Sequence, residues 1–361
     1  MNKVLIIAEA GVNHNGSLDM ALQLVEAAQA AGADVVKFQT FKSEAVISLA
    51  APKAEYQKST TGEMESQLEM VRKLELSAAD HQRILAHCQA KGIRFLSTPF
   101  DPGSADFLVR ELCVQQLKIP SGEITNAPFL LHLANFGLPV ILSTGMSTLG
   151  EVEMALGILA FGFLGLQGKP SQQAFLDAFA SDAGQQILAN KVSILHCTTE
   201  YPAAFDQVNL RAMDTLRAAF GLPVGLSDHT PGIAIPIAAV ARGATIIEKH
   251  FTLDRKLPGP DHLASLEPNE LCAMVTGIRQ TEAALGDGYK RPMAVEWGNR
   301  AIARRSLVAS KPVKAGERWA PDNLNCKRPG TGISPLRYWE YVGRTVDRDY
   351  EADALILPCE A

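Results

Sequence analysis

Residues 219–251 read AFGLPVGLSDHTPGIAIPIAAVARGATIIEKHF, and this stretch contains one structural phrase twice. Each copy has a glycine that ends a helix, then a short run rich in Val, Ile and Leu, then a group of polar residues. Glycine suits the left-handed end of a helix, and continuous apolar runs are typical of parallel strands that are covered on both faces. The stretch therefore predicts two consecutive strand-helix units of a parallel sheet.

The same phrase, with a small or glycine-containing stop after the helix, recurs through the first four fifths of the chain. Its other copies are AAGADVVKFQT (30–40), AKGIRFLSTPF (90–100), VQQLKIPSGE (114–123), NFGLPVILSTG (135–145) and LANKVSILHCT (188–198), and VLIIAEAG (4–11) adds a strand without a preceding helix. Eight such strands with their helices predict an α/β fold, a (β/α)8 TIM barrel. Residues 165–190 are longer than a usual barrel connection, and they predict an inserted helix to which we assign no function.

The chain changes character after the last barrel strand and its helix. A polar passage with glycine and proline covers residues 286–299, and the remaining residues have short β-like runs and many turns without amphipathic helices. We expect a barrel domain over residues 1–287, a linker over 288–299 and a small β-rich domain over 300–361.

Composition excludes several classes of function. The formal charge of −5 and the pI near 5.9 argue against nucleic acid and membrane surfaces as partners, because both favour a basic face. The six cysteines are scattered, so they predict reduced thiols rather than a zinc site or a disulfide framework. The apolar run before Glu9 is too short for a signal peptide, and no segment is long enough to span a membrane. We expect a cytoplasmic protein.

The carboxyl ends of barrel strands meet at one mouth, which is where catalytic groups occur in this architecture. A lone polar residue after a strand is more often a cap or a turn, but here every strand end carries one. The predicted set is Glu9, Lys37, Gln39, Ser97, Thr98, Lys118, Ser121, Glu123, Ser143, His196, Tyr201, Ser227, Asp228, His229, Lys249 and His250.

Part of this set is suited to an anionic substrate. Lysines supply charge and hydroxyls supply directional donors to phosphate oxygens, which predicts a site for a phosphate-bearing substrate. The alternatives are helix capping for each hydroxyl and a solvated position at the rim for each lysine. The residues assigned to phosphate are Lys37, Thr98, Lys118, Ser121 and Ser143.

His229 and His250 end successive strands, so their imidazoles are expected to approach each other and to bind a divalent metal with open coordination positions. A hydrogen-bonded histidine pair is the alternative. Glu9 and Glu123 are candidates for proton transfer or for holding a sugar hydroxyl, and a salt bridge to a lysine is their alternative. The loop DRKLPGPDHLAS (254–265) presents Asp261 and His262, which suit a polyol or a structural turn.

At these residues the chain resembles the sialic acid synthase family over essentially its whole length. The matching segments are IIAEAGVNHNG, VVKFQT, STPFD, KIPSGEITN, ILSTGMS, HCTTEYP, GLSDHT, EKHFTLD with PGPDH, and KRPGTG, and their order and spacing make the match specific. The C-terminal part resembles the antifreeze-like (SAF) domain of these synthases.

The resemblance implies condensation of phosphoenolpyruvate with an N-acylated amino sugar aldehyde. It implies that His229 and His250 bind a divalent ion, commonly Mn²⁺, with Mg²⁺ or Co²⁺ as alternatives. It also implies a domain-swapped homodimer in which Arg328 of one subunit holds the N-acyl group in its partner's site. The residues that would contact phosphoenolpyruvate are Lys37, Thr98, Lys118, Ser121, Ser143 and Ser227. The residues that would contact the acceptor sugar are Gln39, Glu123, Tyr201 and Asp261. Glu9 would be the carboxylate near the reacting atoms.

One departure from the family pattern is Thr199, where several members have Asn. Gln39 is flanked by two apolar residues, Phe38 and Phe41. These flanks, together with the segments KIPSGEITN and HCTTEYP, resemble synthases of N,N'-diacetyllegionaminic acid more than synthases of N-acetylneuraminic acid. The acceptor of the former is 2,4-diacetamido-2,4,6-trideoxymannose. N-acetylmannosamine, giving N-acetylneuraminic acid, is the close alternative, and a pseudaminic-type acceptor is a third.

The sequence leaves two alternative functions open. A Schiff-base aldolase is one, because Lys37, Lys118 and Lys249 all end barrel strands. A sugar-binding barrel without catalysis is the other.

Overall fold

The structure is a computed structural model that describes residues 3–53, 57 and 65–358. The chain divides into two compact units, with the break between Gly286 and Asp287. Cys359 lies outside the described residues, and the other five cysteines are free thiols. Among the helices that the structure describes, none is both long and apolar enough to cross a membrane.

The first unit is a nearly closed barrel of eight parallel strands, which confirms the predicted fold class. The strands pair in the order β3-β2-β1-β8-β7-β6-β5-β4, and β3 lies beside β4 at the remaining seam. The strands are β1 (Leu5–Gly11), β2 (Val35–Thr40), β3 (Arg94–Pro99), β4 (Leu117–Ile119), β5 (Val140–Ser143), β6 (Val192–Cys197), β7 (Val224–Asp228) and β8 (Ile246–His250).

Helices cover the outside of the barrel. Several begin at a serine or threonine whose side chain accepts a backbone N–H of the first turn, and Gly92 and Gly221 end two of them in the left-handed conformation that the sequence predicts. The α-helices that the structure describes with both ends in this unit are α1 (Leu18–Ala30), α2 (Ser43–Val46), α3 (Gln67–Arg72), α4 (Ala78–Lys91), α5 (Pro102–Asp106), α6 (Ala127–Ala134), α7 (Leu149–Phe163), α8 (Gln172–Ala180), α9 (Asp182–Lys191), α10 (Ala212–Phe220), α11 (Ala234–Ala241) and α12 (Pro268–Leu285).

Side chains alternate between the inside and the outside of the barrel along each strand. The outward ones join the helices in the main core, and the inward ones close the lower part of the barrel with an aliphatic plug. The polar inward residues lie above this plug, toward the carboxyl ends of the strands. The plug consists of Ile7, Val35, Leu96, Ile141, Leu195 and Ile246, with Leu5 packed against it.

The insertion at 165–190 contains two helices, so the prediction of one inserted helix is wrong. Ser181 has an extended backbone that ends α8, and its side chain accepts the N–H of Gly184 to begin α9. The insertion packs on α7, where a Cβ on Gly157 would lie 2.5 Å from the carbonyl oxygen of Phe175. It therefore belongs to the outer layer of helices.

The second unit is small and β-rich, as predicted. Its two named strands, β9 (Ser306–Ala309) and β10 (Leu324–Lys327), pair antiparallel, and Leu307, Trp319 and Tyr350 contribute to a core of its own. It also contains the helices α13 (Glu296–Ala303) and α14 (Tyr338–Tyr341). Helix α13 overlaps the segment that the sequence suggested as a linker.

Candidate active site

The mouth of the barrel holds a cavity of about 600 Å³. It is lined by inward side chains from the ends of the strands and by the loops that follow them. Twelve of the fourteen residues that the sequence assigned to catalysis or binding lie on its wall: Glu9, Lys37, Gln39, Thr98, Lys118, Ser121, Ser143, Tyr201, Ser227, His229, His250 and Asp261.

Two lysines and two glutamates form a buried network at the base of this cavity. Lys37 Nζ lies 2.7 Å from Glu9 Oε2 and 3.5 Å from Glu248 Oε2, and Lys118 Nζ lies 3.4 Å from Glu248 Oε1. Ser227 Oγ donates to Glu248 Oε1 at 2.8 Å. Each of the four charged side chains is at most 4% exposed, so water hardly screens them.

The two carboxylates of this network differ in acidity. Burial would raise the pKa of Glu248, but Lys118 and Lys37 flank it and lower that pKa to about 2. Burial raises the pKa of Glu9 to about 7, and the negative charge of Glu248 adds to this rise against the opposing effect of Lys37. Glu248 is therefore the permanent counter-ion of the lysines, while Glu9 can hold or release a proton near neutral pH.

The hydroxyls extend this polar region. Lys37 Nζ donates to Thr98 Oγ1 at 3.0 Å, and the N–H of Gly145 donates to Ser121 Oγ at 2.9 Å. The buried Ser143 hydroxyl has no hydrogen-bond partner among the described residues. An unpaired buried hydroxyl costs free energy, which indicates that a polar ligand completes this part of the mouth.

His229 and His250 lie side by side on the wall of the cavity, with ring centroids 5.5 Å apart. His229 Nδ1 donates to the carbonyl of Thr198 at 2.6 Å, so Nε2 is the nitrogen left to bind a metal. Burial lowers the pKa of His229, but Cys197 beside it and the Thr198 carbonyl raise that pKa above its usual value. Burial and the neighbouring His229 and Lys37 lower the pKa of His250 well below its usual value, so that its ring is neutral. The His250 ring is thus in the form that binds a divalent ion, and His229 would bind one through Nε2 once that nitrogen has lost its proton.

The surroundings fit a metal held by two protein nitrogens. Nδ1 of His250 makes no hydrogen bond in the described part of the chain, and Asp261 Oδ2 lies 3.8 Å from it. Burial raises the pKa of Asp261 to about 6. Among described residues, no group of three or more His, Cys, Asp or Glu side chains could hold a metal. An ion held by two histidines would have further coordination positions for substrate or water.

Tyr201 covers the histidine pair. Its ring lies 4.1 Å from that of His229 and 5.6 Å, edge-on, from that of His250. The ring therefore shields one side of the pair from water.

Two polar residues that the sequence placed at the mouth face the outside of the barrel instead. Lys249 is fully buried, and its Nζ lies 2.5 Å from Asp228 Oδ2 and also donates to the carbonyl of Thr230. Asp228 accepts the N–H and the hydroxyl of Thr230. Alternation along the strands explains the correction, since Ser227, Glu248 and His250 point inward and their neighbours point outward.

This outward pair has a structural consequence for the histidines. Asp228 and Lys249 are partners across β7 and β8, and each directly precedes one histidine of the pair. Their ion pair therefore locks the two strand ends that present His229 and His250. It also leaves Lys249 out of the cavity, which argues against a Schiff base at this residue.

Three other mouth residues have local partners of their own. Ser97 bonds to Thr40, His196 bonds to the carbonyl of Val208, and His262 bonds to Thr252 and Asn15. None of the three is among the described residues that line the cavity. Their hydrogen bonds fit structural roles.

Glu123 and Arg328 are the two assigned residues that do not line the cavity. Glu123 is half-buried and accepts Asn126 Nδ2 at 2.7 Å. Arg328 belongs to the second unit, where its Nε donates to the carbonyl of Ala303. Their predicted contacts with the acceptor stay predictions.

The cavity also has residues that the sequence reading missed. Glu248 is one, and its position two residues before His250 on the same strand was the signal for its inward direction. The side chain of Phe38 points away from the barrel interior and packs against Phe95 in the core under the helices. Of the two apolar residues that flank Gln39, Phe41 therefore lines the cavity and Phe38 does not. Thr199 lines it as well.

Family models match both parts of the chain, and similar proteins match nearly its whole length. The NeuB family matches residues 24–290 and the SAF domain matches residues 304–358. The N,N'-diacetyllegionaminic acid synthase of Campylobacter jejuni subsp. jejuni serotype O:2 is 50% identical over 99% of both chains. The protein of the same name from Legionella pneumophila is 46% identical over 98% of this chain and 93% of that one.

A solved structure has the same architecture. The N-acetylneuraminic acid (sialic acid) synthetase from Leptospira borgpetersenii serovar Hardjo-bovis, in complex with citrate, superposes with a TM-score of 0.66 at 35% identity. The match covers 82% of this chain and 90% of that one.

Proposed function

Because this chain belongs to the NeuB family and carries a C-terminal SAF domain, we propose that it condenses phosphoenolpyruvate with an N-acylated amino sugar aldehyde. The products are a nine-carbon sugar acid and phosphate. The acceptor is 2,4-diacetamido-2,4,6-trideoxymannose, and the product is N,N'-diacetyllegionaminic acid.

The observation that carries this proposal is the near-complete match to two proteins named N,N'-diacetyllegionaminic acid synthase, at 50% and 46% identity. The polar mouth supports it with the required chemistry. Two buried lysines match a substrate with several negative charges, and two adjacent imidazoles in the same cavity match a divalent ion.

Phosphoenolpyruvate binds at the lysines in this proposal. The hydroxyl of Ser143, unpaired in the described structure, donates to one of its oxygens. Six residues form this part of the site: Lys37, Thr98, Lys118, Ser121, Ser143 and Ser227.

The sugar occupies the rest of the cavity. Gln39, Tyr201 and Asp261 line it there, and Asp261, with its raised pKa, can share a proton with a sugar hydroxyl. Glu123 and Arg328 contact the acceptor in the same proposal, with Arg328 supplied by the second subunit of a domain-swapped homodimer.

His229 and His250 hold the divalent ion, for which Mn²⁺ is our first choice and Mg²⁺ or Co²⁺ the alternatives. A bound ion would supply Lewis acidity to the aldehyde oxygen of the sugar. The remaining steps fall to the side chains of this chain.

Bond formation joins carbon 3 of phosphoenolpyruvate to the aldehyde carbon of the sugar. The aldehyde oxygen thereby becomes an alkoxide, and carbon 2 becomes an oxocarbenium centre that still carries the phosphate. Water then adds to carbon 2, and Glu9, whose pKa is about 7, accepts the proton that this water loses and passes it to the alkoxide, which becomes a hydroxyl. The tetrahedral adduct expels phosphate together with the bridging oxygen, and the hydroxyl at carbon 2 gives its proton to that phosphate as the ketone forms. Lys37 and Lys118 stabilise the negative charge of the departing phosphate.

The wider setting completes the proposal. The barrel (1–287) carries the chemistry, the segment 288–299 links it to the SAF domain (300–361), and the enzyme works in the cytoplasm. N-acetylmannosamine is the competing acceptor, since the structural relative at 35% identity is named an N-acetylneuraminic acid synthetase.

The test is phosphate release from phosphoenolpyruvate with Mn²⁺, with each of the two sugars supplied separately and the products identified by mass. We expect release with the diacetamido sugar at a much higher kcat/KM. Preference for N-acetylmannosamine would reassign the acceptor, and release with neither sugar would contradict the proposal.

A further inference from the structure

One side of the cavity is apolar, unlike the lysine and histidine sides. Five side chains form it, and we call them the apolar wall: Val12, Phe41, Val71, Leu74 and Phe100. They make up a hydrophobic cluster separate from the main core of the barrel. The mouth therefore has a second chemical character that the reaction at its base does not explain.

The wall is built from three loops and a short helix. Val12, Phe41 and Phe100 follow β1, β2 and β3, while Val71 lies on α3 and Leu74 just beyond it. The rings of Phe41 and Phe100 pack edge to face with centroids 6.2 Å apart. Val12, Phe41 and Leu74 are 5%, 8% and 7% exposed, so the wall is already packed without a ligand.

Polar contacts hold the segment around α3 against the barrel. Glu75 Oε1 accepts the N–H of Ser43 at 2.6 Å, and Arg72 lies 2.7 Å from Glu44. The backbone at Lys73 approaches so closely that a Cβ on Gly16 would lie 2.3 Å from its carbonyl oxygen. The wall thus has a fixed position relative to the strand ends.

The chemistry of the two substrates decides which of them faces the wall. Phosphoenolpyruvate carries a phosphate and a carboxylate, and these match the lysines and hydroxyls at the base of the cavity. The aldehyde end of the sugar must lie beside phosphoenolpyruvate to react. The opposite end of the sugar is then the part that is left for the wall.

Resting on the function proposed above, we propose that the apolar wall binds the methyl-bearing end of the acceptor, its C6 methyl and C4 acetamido groups. In this way the wall selects a 6-deoxy sugar over its 6-hydroxy counterpart. A hydroxyl at C6 would lose its water against Val71 and Leu74, neither of which offers it a hydrogen-bond partner. A purely apolar surface rejects an added hydroxyl by up to about a hundredfold, which bounds the effect.

Val71 is the residue of choice for the test, because it is half-buried on the wall and the change to Thr keeps its shape. Val109 is equally half-buried, lies on the outside of the barrel and is not among the described cavity residues, so Val109→Thr is the matched control. Val71→Ala is a second variant, which removes methyl groups without adding a hydroxyl.

The assay compares 2,4-diacetamido-2,4,6-trideoxymannose with 2,4-diacetamido-2,4-dideoxymannose, with phosphoenolpyruvate and Mn²⁺ in excess. We expect Val71→Thr to lower the ratio of the two kcat/KM values by about fivefold, and Val71→Ala to raise KM for the 6-deoxy sugar by a similar factor, as lost methyl contacts require. KM for phosphoenolpyruvate should not change in either variant, and Val109→Thr should behave as wild type.

The outcomes separate the two proposals. If the wild-type enzyme uses the 6-deoxy sugar but both Val71 variants keep its sugar preference and its KM, the role of the wall is wrong and the proposed function stands. If the wild-type enzyme condenses neither sugar, the proposed function is wrong and the assignment of the wall falls with it.

Discussion

Replacing Glu248 by Gln tests the buried charge network most sharply. Gln keeps the size of the side chain and an oxygen that can accept the Ser227 hydroxyl, which lies 2.8 Å from Glu248 Oε1. The change removes the negative charge and puts an amide NH2 in place of the other oxygen. Lys37 and Lys118 are then left in the barrel with Glu9 as the one remaining carboxylate of the network.

The magnitude follows from the acidity of Glu248. Its pKa falls from 4.5 to about 2 on folding, because Lys118 and Lys37 outweigh the cost of burial. A carboxylate with a lowered pKa stabilises the fold above pH 4.5, and the stabilisation is lost as the pH falls through the folded value. At pH 7.5 it is present in full, and Glu248→Gln should lower the free energy of unfolding by about 3 kcal/mol.

Urea unfolding at pH 7.5, followed by the far-UV circular dichroism of the helices, measures this change. All three tryptophans, Trp297, Trp319 and Trp339, lie in the second unit, so their fluorescence reports that unit separately. Glu111→Gln, at an exposed glutamate, is the control and should change the free energy of unfolding by less than about 0.5 kcal/mol.

Two results would refute this reasoning. One is a loss for Glu248→Gln no larger than that of the control. The other is a difference between wild type and variant that stays constant when the pH is lowered well below 4.5, because the stabilisation must shrink there.

Three further predictions concern the histidines and their supports. His229→Ala or His250→Ala should abolish both Mn²⁺ binding, measured by calorimetry, and turnover, while circular dichroism shows an intact fold; retained activity would remove the metal role. Asp228→Asn, which weakens the pair with Lys249 at 2.5 Å, should lower Mn²⁺ affinity by roughly ten- to a hundredfold without touching the cavity, whereas unchanged affinity would show that the pair does not position the histidines. Burial lowers the pKa of His14 from 6.5 to about 3, so as the pH falls the unfolded chain binds this proton before the folded chain does, and acid destabilises the fold. Between pH 7.5 and pH 5 the free energy of unfolding of the wild type should fall by about 2 kcal/mol more than that of His14→Asn. Equal falls would show that His14 is not held neutral by burial.

The barrel was predictable because each of its strands is marked by a local sequence pattern. Five of the eight strands, β2, β3, β5, β7 and β8, have a glycine shortly before them, and each strand has an apolar run of the right length and a polar residue at or near its end. The site followed from the rule that these ends share one mouth. The resemblance to a known family then supplied roles for Gln39, Tyr201 and Asp261, which line the cavity.

What failed was the direction of individual side chains. The sequence reading placed Asp228 and Lys249 at the mouth together with their neighbours, although alternate residues of a strand face opposite sides. Glu248 was overlooked for the same reason. The apolar wall could not be predicted from the sequence. Val71 and Leu74 are distant in sequence from the strand ends against which they pack, and only tertiary packing brings them together.

The most direct test of the proposed reaction uses phosphoenolpyruvate labelled with oxygen-18 at the bridging position, together with 2,4-diacetamido-2,4,6-trideoxymannose and Mn²⁺. Attack of water at carbon 2 breaks the carbon–oxygen bond, so we expect all of the label in the released phosphate and an unlabelled nine-carbon acid with the mass of N,N'-diacetyllegionaminic acid. Label retained in the sugar acid, or labelled phosphate released at the same rate without the sugar, would contradict the proposed condensation.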